Sequence, residues 1–416
     1  MQHSQLTGSV RAPPSKSLTH RALFCAALAD GRSKVLSPLK CDDTRATVSA
    51  LSAVGVPIQW NDTDAIVTGT QELGKPVEPI LCGESGTTLR FMTAVCATMP
   101  YDIEISGAPS LLRRPIRDLV VALEKIGVSS TCHDECPPVR VRGPIKGGPT
   151  EIRGDVSSQY VSALLIAAPL ARRPVEIRIA GPAESKAYVR MTLEMQRKFG
   201  IQVDSKHDLT RFGIEPQAYH PSDVQIEGDW SSAAFLLVTA ALAGERIKVE
   251  GLDQASLQAD RQLLNILEMM EARVRTDSSS VLMERSQLRN VEVDVSDCPD
   301  LFPAICTLCA VAEGVSTITG TRRLRLKESN RVVAMRDGLR EMGIETRETE
   351  NSLTIHGAKP RGARVNPHRD HRIAMAFAAL GLCTDGVTIR DAECVSKSYP
   401  SFWDDLRSLG AEAMMR

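Results

Sequence analysis

The chain has 416 residues, 43% of them hydrophobic, and a formal net charge of -1. That length exceeds one ordinary core and predicts two domains, and the composition suits a packed globular protein rather than a disordered one. The near-zero charge gives no bulk reason to expect nucleic acid or an anionic membrane as partner, so an anion site must come from local clustering.

The N-terminal MQHSQLTGSV is polar and lacks the apolar segment of a signal peptide. Apolar runs elsewhere fall far short of a membrane span. A soluble, cytoplasmic protein is expected.

From Ser15 onward one phrase recurs six times. It begins with a polar cluster, continues as a Leu/Ala-rich helix and reaches a Gly-flanked strand. The copies are SKSLTHRALFCAALADGRSKVL from Ser15, ESGTTLRFMTAVCATMPYDIEI from Glu84 and VSSQYVSALLIAAPLARRPVEI from Val156. WSSAAFLLVTAALAGERIKV follows from Trp230, with weaker copies CPDLFPAICTLCAVAEGVSTI from Cys298 and HRDHRIAMAFAALGLCTDGVTI from His368. A spacing of about 70 residues marks an internal repeat.

Each copy precedes a second helix: DTRATVSALSAVG, RPIRDLVVALEKIG, YVRMTLEMQRKFG, DRQLLNILEMMEA, NRVVAMRDGLREMG and SFWDDLRSLG. In the fifth, Val332, Met335, Leu339 and Met342 form an amphipathic stripe, and several end at Gly, a common helix terminator. The first set is apolar nearly all round, as Val161 to Leu170 shows, and should be buried. Short alternating strands follow, such as AIVTG, VRVRG, VEVDV and SLTIHG. Each unit reads strand, buried helix, strand, exposed helix, then one or two strands. Six units divide as three plus three, with a boundary near Glu227 to Asp229. Nothing there is Ser/Gly-rich enough for a floppy linker, which favours a hinge.

Polar and cationic residues crowd the starts of the buried helices: Lys16, Ser17 and Arg21; Gly86, Thr87 and Arg90; Ser157, Ser158 and Gln159; Arg372 beside Asp370 and His371. A helix start offers unpaired N–H groups and about half a positive charge, a ready anion site. A buried apolar helix has no structural use for Lys16 and Arg21, because unpaired buried charge is costly. Ser231 and Ser232 have no neighbouring cation and read as N-caps. Further cations lie at Arg113 and Arg114, from Lys327 to Arg331, and at Lys397. The pattern points to a small polyanionic ligand carrying phosphates or carboxylates. No GxxxxGK[ST], GxGxxG after a strand, GxSxG or HExxH is present, which argues against P-loop, Rossmann, α/β-hydrolase and zincin chemistry. Of the 11 cysteines, Cys306 with Cys309 and Cys132 with Cys136 are close in sequence, but neither pair has a matching second pair, so they read as buried thiols rather than a zinc set.

These residues carry a family resemblance. PPSKSLTHRALFCAAL, LCGESGTTLRFM, RRPIRDL, DVSSQYVSALL, SKAYVRMT, EGDWSSAAF, CPDLFPAI, LRLKESNRVVAM, HRDHRIAMAF and CVSKSYPSF, in this order, resemble the 5-enolpyruvylshikimate-3-phosphate synthase family of enolpyruvyl transferases over essentially the whole chain. The resemblance implies an α/β fold of two similar lobes, each of three βαβαββ repeats around buried parallel helices, an inside-out α/β barrel. It assigns residues 1–13 and 228–416 to one lobe and 14–227 to the other, which carries most of the shikimate 3-phosphate site, with the active site in the cleft between them.

It further implies transfer of the enolpyruvyl group of phosphoenolpyruvate to the 5-hydroxyl of shikimate 3-phosphate, with release of phosphate and with no metal or organic cofactor. By motif, Ser17, Arg21, Ser157, Ser158, Ser185, Tyr188 and Lys327 hold shikimate 3-phosphate, and Gln159 lies between the substrates. Lys16, Gly86, Arg114, Arg331, Arg372 and Lys397 hold phosphoenolpyruvate. Asp300 is the candidate base for the 5-hydroxyl and Glu328 the candidate proton donor, with Lys16, His371 and Lys397 as further candidates for proton transfer. The expected partners are the two small substrates, with no nucleic acid or membrane, and the expected state is a monomer. Read without the family, Glu328 is equally a helix-surface partner of Arg331, and Asp300 a first-turn residue after Pro299. The sequence departs from common family patterns at Glu84 and Ser85, at Phe91, at Arg323 and at Asn330, leaving glyphosate response open. The alternatives are a sister enolpyruvyl transferase acting on UDP-N-acetylglucosamine and a non-catalytic anion-binding repeat protein.

Overall fold

A computed structural model of the chain describes residues 5–413; residues 1–4 and 414–416 of the expected first lobe lie outside them. Among the described residues the helices in chain order are α1 (Lys16–Leu28), α2 (Asp42–Ala53), α3 (Gly86–Cys96), α4 (Arg117–Lys125), α5 (Ser158–Ala167), α6 (Lys186–Lys198), α7 (Trp230–Ala243), α8 (Leu263–Met269), α9 (Phe302–Val311), α10 (Arg331–Glu341), α11 (His371–Leu382) and α12 (Phe402–Ser408). They alternate in kind as the repeat predicts. All fourteen residues of α7 and all twelve of α11 are buried. On α10 only one stripe is buried: Val332, Met335 and Leu339 face inward while Asp337 and Arg340 face solvent.

Local chemistry sets the helix ends. Ser15, Ser85, Ser157, Asp229 and Asp370 cap α1, α3, α5, α7 and α11 by accepting from backbone N–H groups of the first turn. The even-numbered helices stop on a residue with positive φ. It is glycine in five of them, Gly55, Gly127, Gly200, Gly343 and Gly410, and Glu271 (φ 60) after α8.

Each buried helix leads into a strand at a small sheet. Gly148–Arg153 crosses through α5 to the parallel strand Val175–Ala180, and Arg211–Ile214 and Asp204–Ser205 extend the sheet antiparallel. The sheets around α3 and α9 repeat this order. Around α11 only the parallel pair Arg364–Val365 with Thr388–Ile389 is present among the described residues. The first and fourth units exchange their opening strands. Leu6–Arg11 precedes α1 but pairs with Gly244–Glu250 after α7, while Val224–Gln225 precedes α7 but pairs with Gly31–Leu36 after α1.

This exchange carries the chain twice between two compact units. One comprises the described residues of Met1–Pro13 and Glu227–Arg416, the other Pro14–Ile226. Glu227 belongs to the first because its carboxylate accepts from Gln258 Nε2 at 2.7 Å and from the Ser256 hydroxyl. Each unit has its own apolar core, one around α7, α9 and α11, the other around α1, α3 and α5. Each fully buried Leu or Phe there contributes roughly 1.5–3 kcal/mol. Gly69, Gly143 and Gly357, at the ends of three equivalent strands, abut the last carbonyls of α1, α3 and α9. A Cβ at these positions would sit 2.0, 1.8 and 1.7 Å from the oxygens of Ala26, Ala97 and Ala312. The closing glycine of AIVTG, VRVRG and SLTIHG is therefore a packing requirement of strand against helix end.

Candidate active site

In the unit of Pro14–Ile226, the capping of α1, α3 and α5 brings their first turns out of the core with polar side chains attached. Lys16 sits at the first position of α1, and its ammonium pairs with Asp43 Oδ2 at 2.9 Å, 14% exposed. Ser17 is half-buried beside it, and its carbonyl accepts from Arg21 Nη1 at 2.8 Å. Arg21 is buried and ties three helices together: Nε donates to Thr192 Oγ1 at 2.8 Å and Nη2 to the Tyr188 carbonyl at 3.0 Å and Ser162 Oγ at 3.4 Å. Burial pushes its pKa down to about 10, so it stays cationic at neutral pH. Its guanidinium lies 5.7 Å from the Phe91 ring centroid, so the departure at Phe91 supplies a cation–π surface.

Gly86 opens α3 below two guanidiniums. A Cβ there would lie 2.6 Å from Arg114 Nη1 and 2.7 Å from Arg90 Nη1. Arg90 also donates to Gln159 Oε1 and packs 5.3 Å from the Tyr160 ring centroid, and Gln159 Nε2 donates to Thr87 Oγ1 at 3.0 Å. Ser157 caps α5, Ser158 is its first residue, and both are half-buried with Gln159. Ser185 precedes α6 in a left-handed conformation (φ 55), with Tyr188 half-buried one turn on. Arg90 thus links the start of α3 to Gln159, with the Arg114 guanidinium over the same Gly86, and Lys16, Ser17, Arg21 and Tyr188 lie around the starts of α1 and α6. The departures at Glu84 and Ser85 have local roles: Glu84 accepts from Ser110 Oγ at 2.9 Å, and Ser85 caps α3.

The other unit holds a cluster of alternating charge. Arg331, first residue of α10, is 1% exposed. Its Nη1 donates to Asp300 Oδ1 at 2.7 Å, its Nη2 to Glu328 Oε2 at 2.9 Å and its Nε to Asp370 Oδ2 at 2.9 Å. Asp300 also meets Arg372 Nη2 at 3.3 Å and Lys327 Nζ at 3.8 Å. Burial alone would raise the Asp300 pKa, but Arg372, Lys327 and Arg331 outweigh it and hold the carboxyl well below its usual range. Burial and nearby guanidiniums push Lys327 down to about 8 against the pull of Asp300. His371 is buried at the first position of α11, with Nδ1 3.8 Å from Asp370 Oδ1. Lys397 is buried at the end of the turn Ala392–Lys397, which packs on α11.

Both bland readings hold as contacts: Glu328 does pair with Arg331, and Asp300 does sit in the turn before α9. Neither exhausts the residue, since both carboxylates converge on one buried guanidinium. The expectation that Ser231 and Ser232 cap α7 is corrected: Asp229 accepts from Ser232 N at 2.9 Å, and both serines lie inside the first turn. Arg323 is buried and donates to the Ser296 carbonyl, and Asn330 caps α10. Sequence reasoning placed Arg90 and Asp370 near helix starts without giving them a part in the cluster, and missed Asp43. The available signals were an acid in the first turn of α2 and a polar residue at each cap. Cys306 and Cys309 are buried in α9 as expected, whereas Cys132 and Cys136 are only partly buried, which corrects the buried-thiol reading for that pair; no group of three or more His, Cys, Asp or Glu able to hold a metal occurs among the described residues. No described helix is long and apolar enough to cross a membrane.

Two α/β units of repeated design, with cations massed at the starts of buried helices and carboxylates interleaved among them, define an enzyme class that handles polyanionic substrates by acid–base chemistry. The chain matches the family described as EPSP synthase (3-phosphoshikimate 1-carboxyvinyltransferase) over residues 1–406, and it belongs to that family. Proteins named 3-phosphoshikimate 1-carboxyvinyltransferase from Methanoculleus marisnigri and Methanocorpusculum labreanum are 41% and 42% identical to it. The first match covers 96% of both chains, the second 99% of this chain and 98% of the relative. An EPSP synthase structure from Acinetobacter baumannii, 27% identical, superposes with a TM-score of 0.82 over 98% of this chain and 96% of that one. The enolpyruvyl transferase NikO from Streptomyces tendae is 17% identical with a TM-score of 0.79 over 99% and 96% of the two chains, a likeness of fold.

Proposed function

We propose that this chain transfers the enolpyruvyl group of phosphoenolpyruvate to the 5-hydroxyl of shikimate 3-phosphate and releases phosphate, by addition and elimination through a tetrahedral intermediate. The observation that carries the reading is the pair Asp300 and Glu328 on the single guanidinium of Arg331, in a member of the EPSP synthase family. Addition needs a base for the attacking hydroxyl and an acid for the methylene carbon, and elimination needs the reverse transfer at carbon. Asp300, kept ionised by three cations, takes the hydroxyl proton. Glu328 protonates the methylene carbon and takes a proton back when phosphate leaves. Lys16, His371 and Lys397 are the further proton-transfer groups.

Two anionic substrates must be brought together, and dense cations offset that repulsion. Arg114, Arg331, Arg372, Lys16 and Lys397, with the N–H groups beside Gly86, hold phosphoenolpyruvate. Ser17, Arg21, Ser157, Ser158, Ser185, Tyr188 and Lys327 hold shikimate 3-phosphate, and Gln159 touches both. The enzyme works as a cytoplasmic monomer on these small molecules, without nucleic acid or membrane as partner. UDP-N-acetylglucosamine is disfavoured as acceptor by the names of the relatives.

The test is phosphate release from phosphoenolpyruvate with and without shikimate 3-phosphate, in wild type and Glu328→Gln. Release should require shikimate 3-phosphate and fall at least 100-fold in the variant, on the order of a lost acid–base group. Release that ignores shikimate 3-phosphate, or survives the substitution, refutes the assignment.

A further inference from the structure

Four polar side chains outside the proposed mechanism form a chain inside the unit of Pro14–Ile226. His20 on α1, Thr47 on α2, Ser85 before α3 and Thr88 within it are each 0% exposed. His20 Nδ1 lies 2.7 Å from Thr47 Oγ1, Thr47 Oγ1 lies 2.7 Å from Thr88 Oγ1, and Thr88 donates to Ser85 Oγ at 2.7 Å. A hydroxyl has one proton to give. Thr88 gives its proton to Ser85, with the Asp43 carbonyl as a longer second acceptor at 3.4 Å, so it must accept from Thr47. Thr47 has then spent its own proton and must accept from His20. The chain therefore runs one way and fixes His20 as the tautomer with its proton on Nδ1. The other ring nitrogen agrees: Nε2 is buried with no hydrogen-bond partner among the described residues, where an N–H would be an orphaned donor. Burial pushes the ring pKa down to about 3, so the imidazole is neutral and carries one proton.

Every link of the chain lies one step from a residue of the phosphoenolpyruvate site. His20 stands one turn along α1 from Lys16, and Thr47 one turn along α2 from Asp43, whose carboxylate holds the Lys16 ammonium at 2.9 Å. Thr88 reaches back to the carbonyl of that same Asp43. Ser85 accepts from Thr88 N at 3.3 Å as the cap of α3 and directly precedes Gly86, beneath the guanidiniums of Arg114 and Arg90. First-turn N–H groups and an ammonium act together on one anion only if their helices are held in one mutual setting. We propose that His20 is a positioning residue for phosphoenolpyruvate: its Nδ1–H anchors the one-way chain Thr47–Thr88–Ser85, which locks the starts of α1, α2 and α3 together and so aims Lys16 and the N–H groups beside Gly86 at the anion. The inference rests on the reading of Lys16 and Gly86 as that site.

The experiment is kcat and KM for both substrates, with thermal unfolding midpoints, in wild type, Thr47→Val, Thr47→Ser, His20→Leu, His20→Asn and Lys16→Gln. Thr47→Val and His20→Leu break the chain. Each should raise KM for phosphoenolpyruvate roughly tenfold, with kcat within about 3-fold and KM for shikimate 3-phosphate within about 2-fold of wild type. Thr47→Ser keeps the hydroxyl and His20→Asn keeps an N–H donor, so both should stay within about 3-fold of wild type in every constant. A lowered unfolding midpoint in Thr47→Val with KM for phosphoenolpyruvate unchanged, or an equal rise in both KM values, overturns the inference. A second measurement serves if the chain-breaking variants do not fold. In the nitrogen NMR spectrum of histidine-labelled wild type, the His20 signals, identified by their loss in His20→Asn, should show Nδ1 protonated and Nε2 bare. A proton on Nε2 overturns the one-way chain. Lys16→Gln separates the two readings. If it cuts kcat/KM for phosphoenolpyruvate at least about tenfold while Thr47→Val leaves KM unchanged, only the role of His20 falls. If it leaves kcat/KM unchanged, Lys16 does not hold phosphoenolpyruvate and both fall.

Discussion

Replacing Arg331 with methionine tests the charge cluster most directly. The side chain is 1% exposed and satisfies three carboxylates, Asp300 at 2.7 Å and Glu328 and Asp370 at 2.9 Å. Those carboxylates raise the arginine's own pKa despite its burial, so the ion cluster is favourable as a set. Methionine fills much of the volume but leaves the carboxylates facing one another. Removing one partner of a buried pair costs about 3–5 kcal/mol, because the remaining charge is uncompensated. Losing one of its three cations raises the Asp300 carboxyl pKa relative to wild type, so the variant's deficit grows as that group is forced to ionise. A carboxyl with a raised folded pKa stabilises below its unfolded pKa and loses that contribution as pH rises through the folded one. The gap between variant and wild type should therefore be widest near pH 8 and narrow toward pH 5. The assay is urea unfolding in a Trp60→Phe background. Of the three tryptophans this leaves Trp230 and Trp403, both in the unit that holds Arg331. A gap below about 1 kcal/mol, or one of equal size at pH 8 and pH 5, refutes the reasoning.

Three further outcomes are expected. Burial depresses the His20 pKa from 6.5 to about 3 while its Nδ1 meets Thr47 Oγ1 at 2.7 Å, so its contribution is complete above pH 6.5 and is lost on acidification. At pH 5 the cost is about 2 kcal/mol, and His20→Asn should flatten the pH dependence of urea midpoints between 7.5 and 5. Lys327 loses its charge above about pH 8. The dissociation constant for shikimate 3-phosphate should then rise roughly tenfold per pH unit above 8 in wild type but stay flat to pH 9.5 in Lys327→Arg, measured by calorimetric titration. Glu271 ends α8 at φ 60, where the other terminators are glycine, and its contact with Arg289 is a 3.7 Å exposed pair. Glu271→Gly should stabilise by about 0.5–1 kcal/mol, the left-handed strain relieved less the added chain entropy, read as a higher midpoint of thermal unfolding.

The sixfold repeat, the two kinds of helix and most helix ends were legible in the residues alone, because periodicity, composition and capping are properties of short segments. WSSAAFLLVTAALA has no polar face, so it must be buried wherever it lies. Gly55, Gly127, Gly200, Gly343 and Gly410 end helices because the backbone there turns left-handed. The crowding of cations at helix starts was equally local, and it pointed to an anionic ligand before any contact was known. Tertiary structure decided the partners of those charges. Arg331 meets carboxylates at positions 300, 328 and 370, which only the folding of the fifth unit and its packing against the sixth brings to one guanidinium. It also decided between neighbouring candidates of the same chemistry: Asp229 rather than Ser231 caps α7, because a helix end accepts one cap and the backbone at Asp229 is the extended one. The exchanged strands Leu6–Arg11 and Val224–Gln225 likewise carry no mark of their pairing in the sequence. Strand partners are chosen by which edge remains open when the helices have packed, and the fields on buried groups follow from that choice.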